Sequence, residues 1–237
     1  MSTPAAVVFD LDETLFDHRG AAVAGVRGWL STLDVTATDE LVDLWFEAEE
    51  RHVTAWHRGE VAFAEQRRRR LREILALIGR PCGSDDELDF VFADYVACYE
   101  AGWRRFDDVQ DALELIADAG LRVAVLTNGA ELIQQRKLAA VGLAGRVGPV
   151  LSCDTIGYAK PDPRAYLRAC RELGVAADRA LHVGDRYDLD VVAARAAGLP
   201  AVHLDRSDRG PHDEPARITS LRELGRFLEG DLMDAAR

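Results

Sequence analysis

Lysine is scarce in this sequence. Only Lys137 and Lys160 are lysines, so arginine supplies all but two of the 29 basic residues. Acidic residues outnumber basic ones and give a formal net charge of −12. This balance argues against sequence-independent binding to nucleic acid, which needs a basic face, but it is compatible with a local basic pocket for a small anion.

Cysteine is also scarce, and its spacing has no pattern. The four cysteines (Cys82, Cys98, Cys153 and Cys170) form no C-x-x-C pair, which argues against a disulfide framework or a zinc site. No apolar run approaches the length that spans a membrane, and the N-terminus lacks the basic and apolar segments of a secretion signal. We therefore expect a protein of the reducing cytoplasm.

The pattern of apolar residues predicts an α/β fold with an inserted helical unit. Apolar residues make up 48% of the 237 residues, enough for a sizeable core. A short apolar run at 7–9 predicts a buried strand, and residues 19–105 then read as four amphipathic helices. From residue 107 onward strands and helices alternate, which predicts a Rossmann-like parallel sheet. The predicted strands are 121–126, 149–153, 180–185 and 201–204.

The spacing of these strands locates the insertion. Asp10 and Thr127 are 117 positions apart, whereas a strand–helix–strand crossover takes roughly 30 residues, so about 85 residues are surplus. We expect a core of residues 1–16 and 106–237, with a helical cap of residues 17–105 after the first strand. Further helices are predicted at 131–141, 163–173, 188–197 and 220–228. Residues 206–216 are predicted to be a loop, and the tail after Gly230 is expected to fray.

Two carboxylates follow the first strand. Asp10 and Asp12 would lie at the carboxyl edge of the sheet, where open α/β folds bind ligands. Like charges held this close repel unless a cation intervenes, which favours a nucleophile or metal ligand beside a general acid. Solvated acids at an ordinary strand end are the alternative, and glycosyltransferases and acidic receiver domains also carry such pairs.

Other polar residues follow later strands. Thr127 and Asn128 are candidates for binding an anion, and Lys160 supplies a compact positive charge in an arginine-rich chain. Asp185 together with Asp10 would make an oxygen-rich site suited to Mg²⁺. The nearby Asp188 and Asp190 are candidates for metal support or for helix capping.

Together these residues resemble the haloacid dehalogenase (HAD) superfamily, over nearly the whole chain. All four of its motifs occur in order: DxDxT from Asp10, the strand into Thr127-Asn128, the motif of Lys160 in KPDP, and GDxxxxD from Gly184. The insertion resembles the helical-capped branch, which includes phosphoglycolate phosphatases, pyrimidine nucleotidases and N-acylneuraminate phosphatases. Glu13 stands where many relatives have Asp, a conservative departure.

The resemblance implies a Mg²⁺-dependent phosphatase for a small phosphorylated metabolite. Asp10 would be the nucleophile and Asp12 the general acid and base. The metal ligands would be Asp10, the backbone carbonyl of Asp12 and Asp185, supported by Asp190. The remaining implied residues, which would bind the phosphoryl group, are Thr127, Asn128 and Lys160.

Three alternatives stay open: a phosphomutase, a 2-haloacid dehalogenase-like hydrolase, and a non-catalytic regulator on the same scaffold. The acid at Asp12 favours a phosphatase over a dehalogenase, because departing halide needs no proton. Helical spacing also places Arg67 and Arg70 where they would contact the leaving group, unless their stems only cover apolar surface or their heads pair with acids such as Glu65. We expect a monomer or homodimer that binds neither membrane nor nucleic acid.

Overall fold

In the computed structural model, residues 3–228 are described. The chain divides into two compact units, Met1–Asp17 with Arg104–Arg237, and His18–Trp103. We call the first the core unit and the second the helical unit. The predicted fraying of the tail after Gly230 concerns residues outside the described range.

The core unit is a six-stranded parallel sheet with helices. The strands are β1 (Ala6–Phe9), β2 (Arg122–Thr127), β3 (Val150–Ser152), β4 (Ala180–Gly184), β5 (Ala201–Leu204) and β6 (Arg217–Ile218). Their order is β3-β2-β1-β4-β5-β6, and every pairing is parallel. This confirms the predicted Rossmann-like α/β class.

The position of β1 explains its sequence. It pairs with β2 on one side and β4 on the other, and all four of its residues are fully buried. Ala6 and Val8 pack into a cluster with Tyr166, whereas Val7 and Phe9 point to the opposite face. A strand covered on both faces is expected to be apolar throughout. Polar residues therefore begin only where β1 ends.

Helices connect the strands of the core unit. They are α5 (Val109–Asp118), α6 (Glu131–Ala140), α7 (Cys153–Ile156), α8 (Pro163–Leu173), α9 (Ala193–Ala196) and α10 (Gly225–Leu228). Short 3₁₀ turns cover Ala177–Arg179 and Leu221–Glu223, and a π-helical turn covers Tyr187–Val192. The predicted helix at 163–173 is confirmed, with Pro163 in its first turn and Gly174 at its end in the left-handed conformation that suits glycine.

Some predicted bounds are wrong. The third strand stops at Ser152, and Cys153 instead begins α7. The helix predicted from 188 starts one residue earlier as the π-helical turn, and the segment from Ser220 is a capping box followed by a 3₁₀ turn and α10. Strand β6 was not predicted, because its two residues are too few to form an alternating pattern.

The helical unit contains α1 (His18–Thr32), α2 (Asp39–His57), α3 (Phe63–Leu77) and α4 (Asp85–Ala101), which confirms the four predicted helices. Its core is aromatic: Trp29 and Trp45 are fully buried, and the Trp45 ring centroid lies 4.2 Å from that of Tyr95. Helix α1 packs closely on α4 at Gly25, where a Cβ would lie 2.8 Å from the Tyr99 Cα. No helix within residues 3–228 is both long and apolar enough to cross a membrane.

The insertion begins and ends at neighbouring points of the core unit. A bridge joins Phe16 to Arg105, and the Asp17 N–H donates to the Arg104 carbonyl at 3.1 Å. The two ends of the core chain therefore already meet where the helical unit is inserted.

Candidate active site

Asp10 lies directly beyond the carboxyl end of β1. Its N–H donates to the Val183 carbonyl of β4 at 2.9 Å, so the main chain is still held to the sheet there. The residue is 8% exposed. Since parallel strands end at the same edge, Asp10 lies beside the ends of β2 and β4.

A tight turn follows Asp10 and carries Asp12. The Leu11 carbonyl accepts hydrogen bonds from the N–H groups of Leu15 and Phe16, both at 2.9 Å. Glu13 has a φ of 64°, a left-handed conformation that is uncommon for a non-glycine residue. The carboxylates of Asp10 and Asp12 bind different lysines, Lys160 and Lys137.

Lys160 connects Asp10 to a second buried carboxylate. Its Nζ lies 2.6 Å from Asp10 Oδ1 and 2.6 Å from Asp190 Oδ1, and the residue is 4% exposed. Burial opposes the charged ammonium, but the negative charges of Asp10 and Asp190 outweigh it and hold the pKa of Lys160 above its usual range. Lys160 therefore remains a fixed positive charge at the strand edge.

Asp190 is fully satisfied by donors around it. His182 Nε2 also lies within hydrogen-bond distance of Asp190 Oδ1, at 3.0 Å, and Asp190 Oδ2 accepts a hydrogen bond from the Arg186 N–H at 3.0 Å. Burial opposes its charge, but Lys160 and His182 together hold the pKa of Asp190 well below its usual range. A Cβ on Gly184 would collide with the Asp190 carboxyl group, so the glycine at the end of β4 makes room for it.

Charge compensation is weaker at Asp185 and Asp10 than at Asp190. Burial raises the pKa of Asp185 to about 9, and the negative charges of Asp10 and Asp190 add to this effect. Burial also raises the pKa of Asp10 to about 7, against the opposing charge of Lys160. Several carboxylates held together in a buried place repel each other, and a cation relieves that repulsion.

These carboxylates fit a divalent cation. One oxygen from each of Asp10, Asp185 and Asp190 lies within 4.8 Å of the others. Mg²⁺ is usually bound by one or two carboxylates and several waters. Because Asp190 is already bonded to Lys160, His182 and a backbone N–H, Asp10 and Asp185 are the better ligands. Asp188 is exposed and is not part of this cluster.

Asn128 binds the backbone of Lys160. Its Nδ2 donates to the Lys160 carbonyl at 2.7 Å, and its Oδ1 accepts from the Lys160 N–H at 2.7 Å. Thr127 is 2% exposed, and its Oγ1 accepts from the Gly129 N–H at 3.1 Å. The side chain of Asn128 thus holds the lysine loop, while the hydroxyl hydrogen of Thr127 is not used in these contacts.

Two site residues were missed in the sequence. Lys137 on α6 is 4% exposed, with Nζ 2.6 Å from Asp12 Oδ1. Gln134 is 1% exposed, with Nε2 3.0 Å from Asp12 Oδ2 and 2.7 Å from Thr127 Oγ1. The scarcity of lysine was the available signal, since both lysines of the chain lie at this site.

The two arginines proposed to contact the leaving group pack within the helical unit. Arg70 is 4% exposed, pairs with Glu49 at 3.0 Å, and lies 4.6 Å from the ring centroid of Trp45. Arg67 lies 4.3 Å from the ring centroid of Phe63. Contact between either arginine and a substrate stays a prediction. The neighbouring Arg68 binds two aspartates, Asp89 and Asp85.

Comparison with known proteins adds independent support. The chain is 41% identical to a phosphoserine phosphatase of Thermus thermophilus over 128 residues, about half of each chain. It is 33% identical to the phosphatase MT3486 of Mycobacterium tuberculosis over 95% of this chain and 97% of that protein.

Solved structures have the same fold. The magnesium-bound structure of YfnB of Bacillus subtilis superposes with a TM-score of 0.82 at 19% identity, covering 96% of this chain and all of that one. A dehalogenase structure superposes with a TM-score of 0.74 at 26% identity, covering 94% and 96%. Residues 4–198 match the family described as haloacid dehalogenase-like hydrolase. This chain therefore belongs to the haloacid dehalogenase-like hydrolase family.

Proposed function

We propose that this protein is a Mg²⁺-dependent phosphatase that cleaves a small phosphorylated metabolite through an aspartyl-phosphate intermediate. The observation that carries the proposal is the pair formed by Asp10 and Asp12, each bound by a buried lysine at one edge of the sheet. The phosphatase names of relatives at 41% and 33% identity support the reaction class. The helical unit would serve as the cap that contacts the leaving group.

In the first step a carboxylate oxygen of Asp10 attacks phosphorus, and the bond from phosphorus to the leaving oxygen breaks. Asp12 donates a proton to that oxygen, so that an alcohol departs rather than an alkoxide. In the second step water attacks the phosphorus of the aspartyl-phosphate and gives its proton to Asp12. Phosphate is released, and both aspartates return to their starting states.

The residues around this pair stabilise charge on the transferring group. Lys160 is held in place through its backbone by Asn128, and its ammonium would offset negative charge on the phosphoryl oxygens. The hydroxyl of Thr127 would donate to one of those oxygens. Positioning and electrostatics of this kind account for most of the catalysis in phosphoryl transfer.

Asp10, Asp185 and the backbone carbonyl of Asp12 would hold Mg²⁺. When bound, the ion supplies positive charge that neutralises the carboxylates and the phosphoryl oxygens. Asp190 would keep Lys160 in place beside it. We further propose that the protein acts in the cytoplasm as a monomer or homodimer. Its acidic net charge favours a metabolite over nucleic acid as the substrate.

A 2-haloacid dehalogenase-like activity is the second candidate, favoured by the dehalogenase structure at 26% identity. It would use Asp10 to displace halide from carbon. Asp12 distinguishes the two activities. Two side chains hold its carboxylate at the site, and a departing halide, unlike an alkoxide, needs no proton from such an acid.

The test is hydrolysis of 4-nitrophenyl phosphate with and without Mg²⁺, beside halide release from 2-chloropropionate. We expect metal-dependent phosphate release and no halide release. Asp10→Asn removes the nucleophile and keeps the shape, so turnover is expected to collapse while circular dichroism stays unchanged. Full phosphatase activity in folded Asp10→Asn protein, or halide release by the wild type, would overturn the proposal.

A further inference from the structure

The second lysine of the chain has no role in the mechanism above. Lys137 lies on α6, and its Nζ is 2.6 Å from Asp12 Oδ1. The same Nζ lies 4.9 Å from the ring centroid of Phe16, which belongs to the turn that carries Asp12. An ammonium on a side chain only 4% exposed needs a charged partner. Lys137 is therefore built into this turn rather than solvated beside it.

Gln134 completes the contact with Asp12. It precedes Lys137 by three positions, so both side chains leave the same face of α6. Its Nε2 reaches Asp12 Oδ2 at 3.0 Å, while Lys137 holds Oδ1. Each oxygen of the Asp12 carboxylate thus has its own donor, and the two donors come from one rigid helix.

The main chain makes room for this arrangement. A Cβ on Gly129 would collide with the side-chain amide of Gln134. Gln134 also donates to Thr127 Oγ1 at 2.7 Å, which ties it to the end of β2. The carboxylate of Asp12 is therefore held against a frame formed by β2 and α6.

We infer that Lys137 and Gln134 are positioning residues that fix the Asp12 carboxylate for proton transfer to and from the leaving group. The inference rests on the proposed phosphatase reaction. Asp12 needs this support because its side chain is 32% exposed, whereas that of Asp10 is 11% exposed. An acid transfers a proton efficiently only within about 2.6–3.2 Å of the acceptor, and an aspartate free to rotate would leave that range.

Among the three side chains of this contact, only Asp12 gains and loses a proton during the reaction. Each carboxylate oxygen has more than one lone-pair direction, so an oxygen that accepts from Lys137 or Gln134 still has room for a proton. That proton passes to the leaving oxygen, and attacking water restores it. Lys137 and Gln134 neither gain nor lose a proton during the cycle, so their effect is on the orientation of Asp12.

Lys137→Met tests the inference, since it keeps the length of the stem and removes the ammonium. Phenyl phosphate and 4-nitrophenyl phosphate are substrates of similar shape, but phenol is the poorer leaving group and depends more on protonation. We expect kcat on phenyl phosphate to fall about 10²-fold, the lower end of what a general acid contributes, and on 4-nitrophenyl phosphate to fall less than about tenfold. Lys137→Arg, which restores a cation, is expected to recover part of the loss on phenyl phosphate.

Two controls separate positioning from a structural role. Arg136→Met removes the same charge from an exposed position of the same helix and is expected to leave kcat on both substrates unchanged. In an Asp12→Asn background, adding Lys137→Met is expected to cause no further loss of kcat on phenyl phosphate, because the two residues act as one unit. Equal slowing of both substrates by Lys137→Met, or additive losses in the double variant, would overturn the inference.

A crystal structure of Lys137→Met separates this inference from the proposed function. Displacement of the Asp12 carboxylate, or more than one conformer of it, supports the positioning role. A single unchanged conformer rejects that role, even if the wild-type protein hydrolyses phosphate esters. Absence of hydrolysis by the wild type would instead reject the proposed function, and the position of Asp12 in the variant would still decide the role of Lys137.

Discussion

The side-chain amide of Asn128 forms two hydrogen bonds with the backbone of Lys160, one to its carbonyl and one from its N–H, both at 2.7 Å. This contact joins the end of β2 to the loop before α8, 32 positions later in the chain. It fixes the backbone from which the Lys160 side chain reaches Asp10. The position of the ammonium therefore depends on an amide that does not touch it.

Asn128→Ala removes both of these hydrogen bonds. We expect kcat on 4-nitrophenyl phosphate to fall about 10²-fold, the effect of moving a catalytic group by roughly 1 Å. Steady-state kinetics of the purified variant measures this fall. Cys153→Ala is the matched control, since it removes a contact to the Asn128 carbonyl and leaves the side-chain pair intact. Equal activity of Asn128→Ala and the control would show that Lys160 does not need this support.

Mg²⁺ is expected to stabilise the folded protein. Binding to the native state alone raises the free energy of unfolding by about 2.7 kcal/mol when the ion is at 100 times its Kd. Differential scanning fluorimetry of metal-free protein with increasing MgCl₂ measures the rise in Tm. In Asp185→Asn we expect most of that rise to disappear. An equal rise in Tm for Asp188→Asn and Asp185→Asn would argue against Asp185 as a ligand.

Asp205 is expected to make stability depend on acid pH. Its carboxylate accepts from the N–H groups of Arg209 and Gly210 at 3.1 and 2.7 Å. Burial opposes the charge, but these donors and Arg217 lower the pKa of Asp205 to about 2. A lowered folded-state pKa stabilises the protein above the unfolded value near 4, and the stabilisation is lost as pH falls through about 2.

The variant Asp205→Asn isolates this effect. At pH 7 we expect its free energy of unfolding in urea to be lower than wild type by about 1–3 kcal/mol, the cost of losing hydrogen bonds to a charged group. The difference is expected to shrink below pH 4. Asp208→Asn is the control, because Asp208 also pairs with Arg217 but its side chain is 70% exposed, and such pairs contribute little. A difference that stays constant from pH 7 to pH 3 would contradict the assignment.

Much of the core unit is predictable because strands and carboxylates follow simple rules. β1 is apolar until Phe9 and polar from Asp10, so both the strand and the position of the first acid are evident. Lys160 stands out because lysine is rare and its loop precedes a helix. The predicted helix at 163–173 is confirmed because a proline and a glycine mark its two ends.

The features that the sequence did not predict depend on contacts between residues far apart in the chain. Lys137 and Gln134 read as polar positions of an ordinary surface helix, and only folding places them against Asp12, more than 120 positions earlier. The π-helical turn at Tyr187–Val192 was likewise not predicted, and its Asp190 fits only because Gly184 has no Cβ. Local patterns predict an element well and predict the partners of its side chains poorly.

The bridge between Phe16 and Arg105 has a consequence for how this protein changes over evolutionary time. Because the two ends of the core chain are already joined there, the insertion adds to the core only the modest entropy of a longer closed loop. The residues of the proposed phosphoryl chemistry all belong to the core unit. Mutations, deletions or replacement of the segment between residues 18 and 103 would therefore leave the residues of the reaction centre in place relative to one another. Under the proposed function, one reaction centre would in this way acquire new substrates through changes in a part of the chain that contains none of its reacting groups.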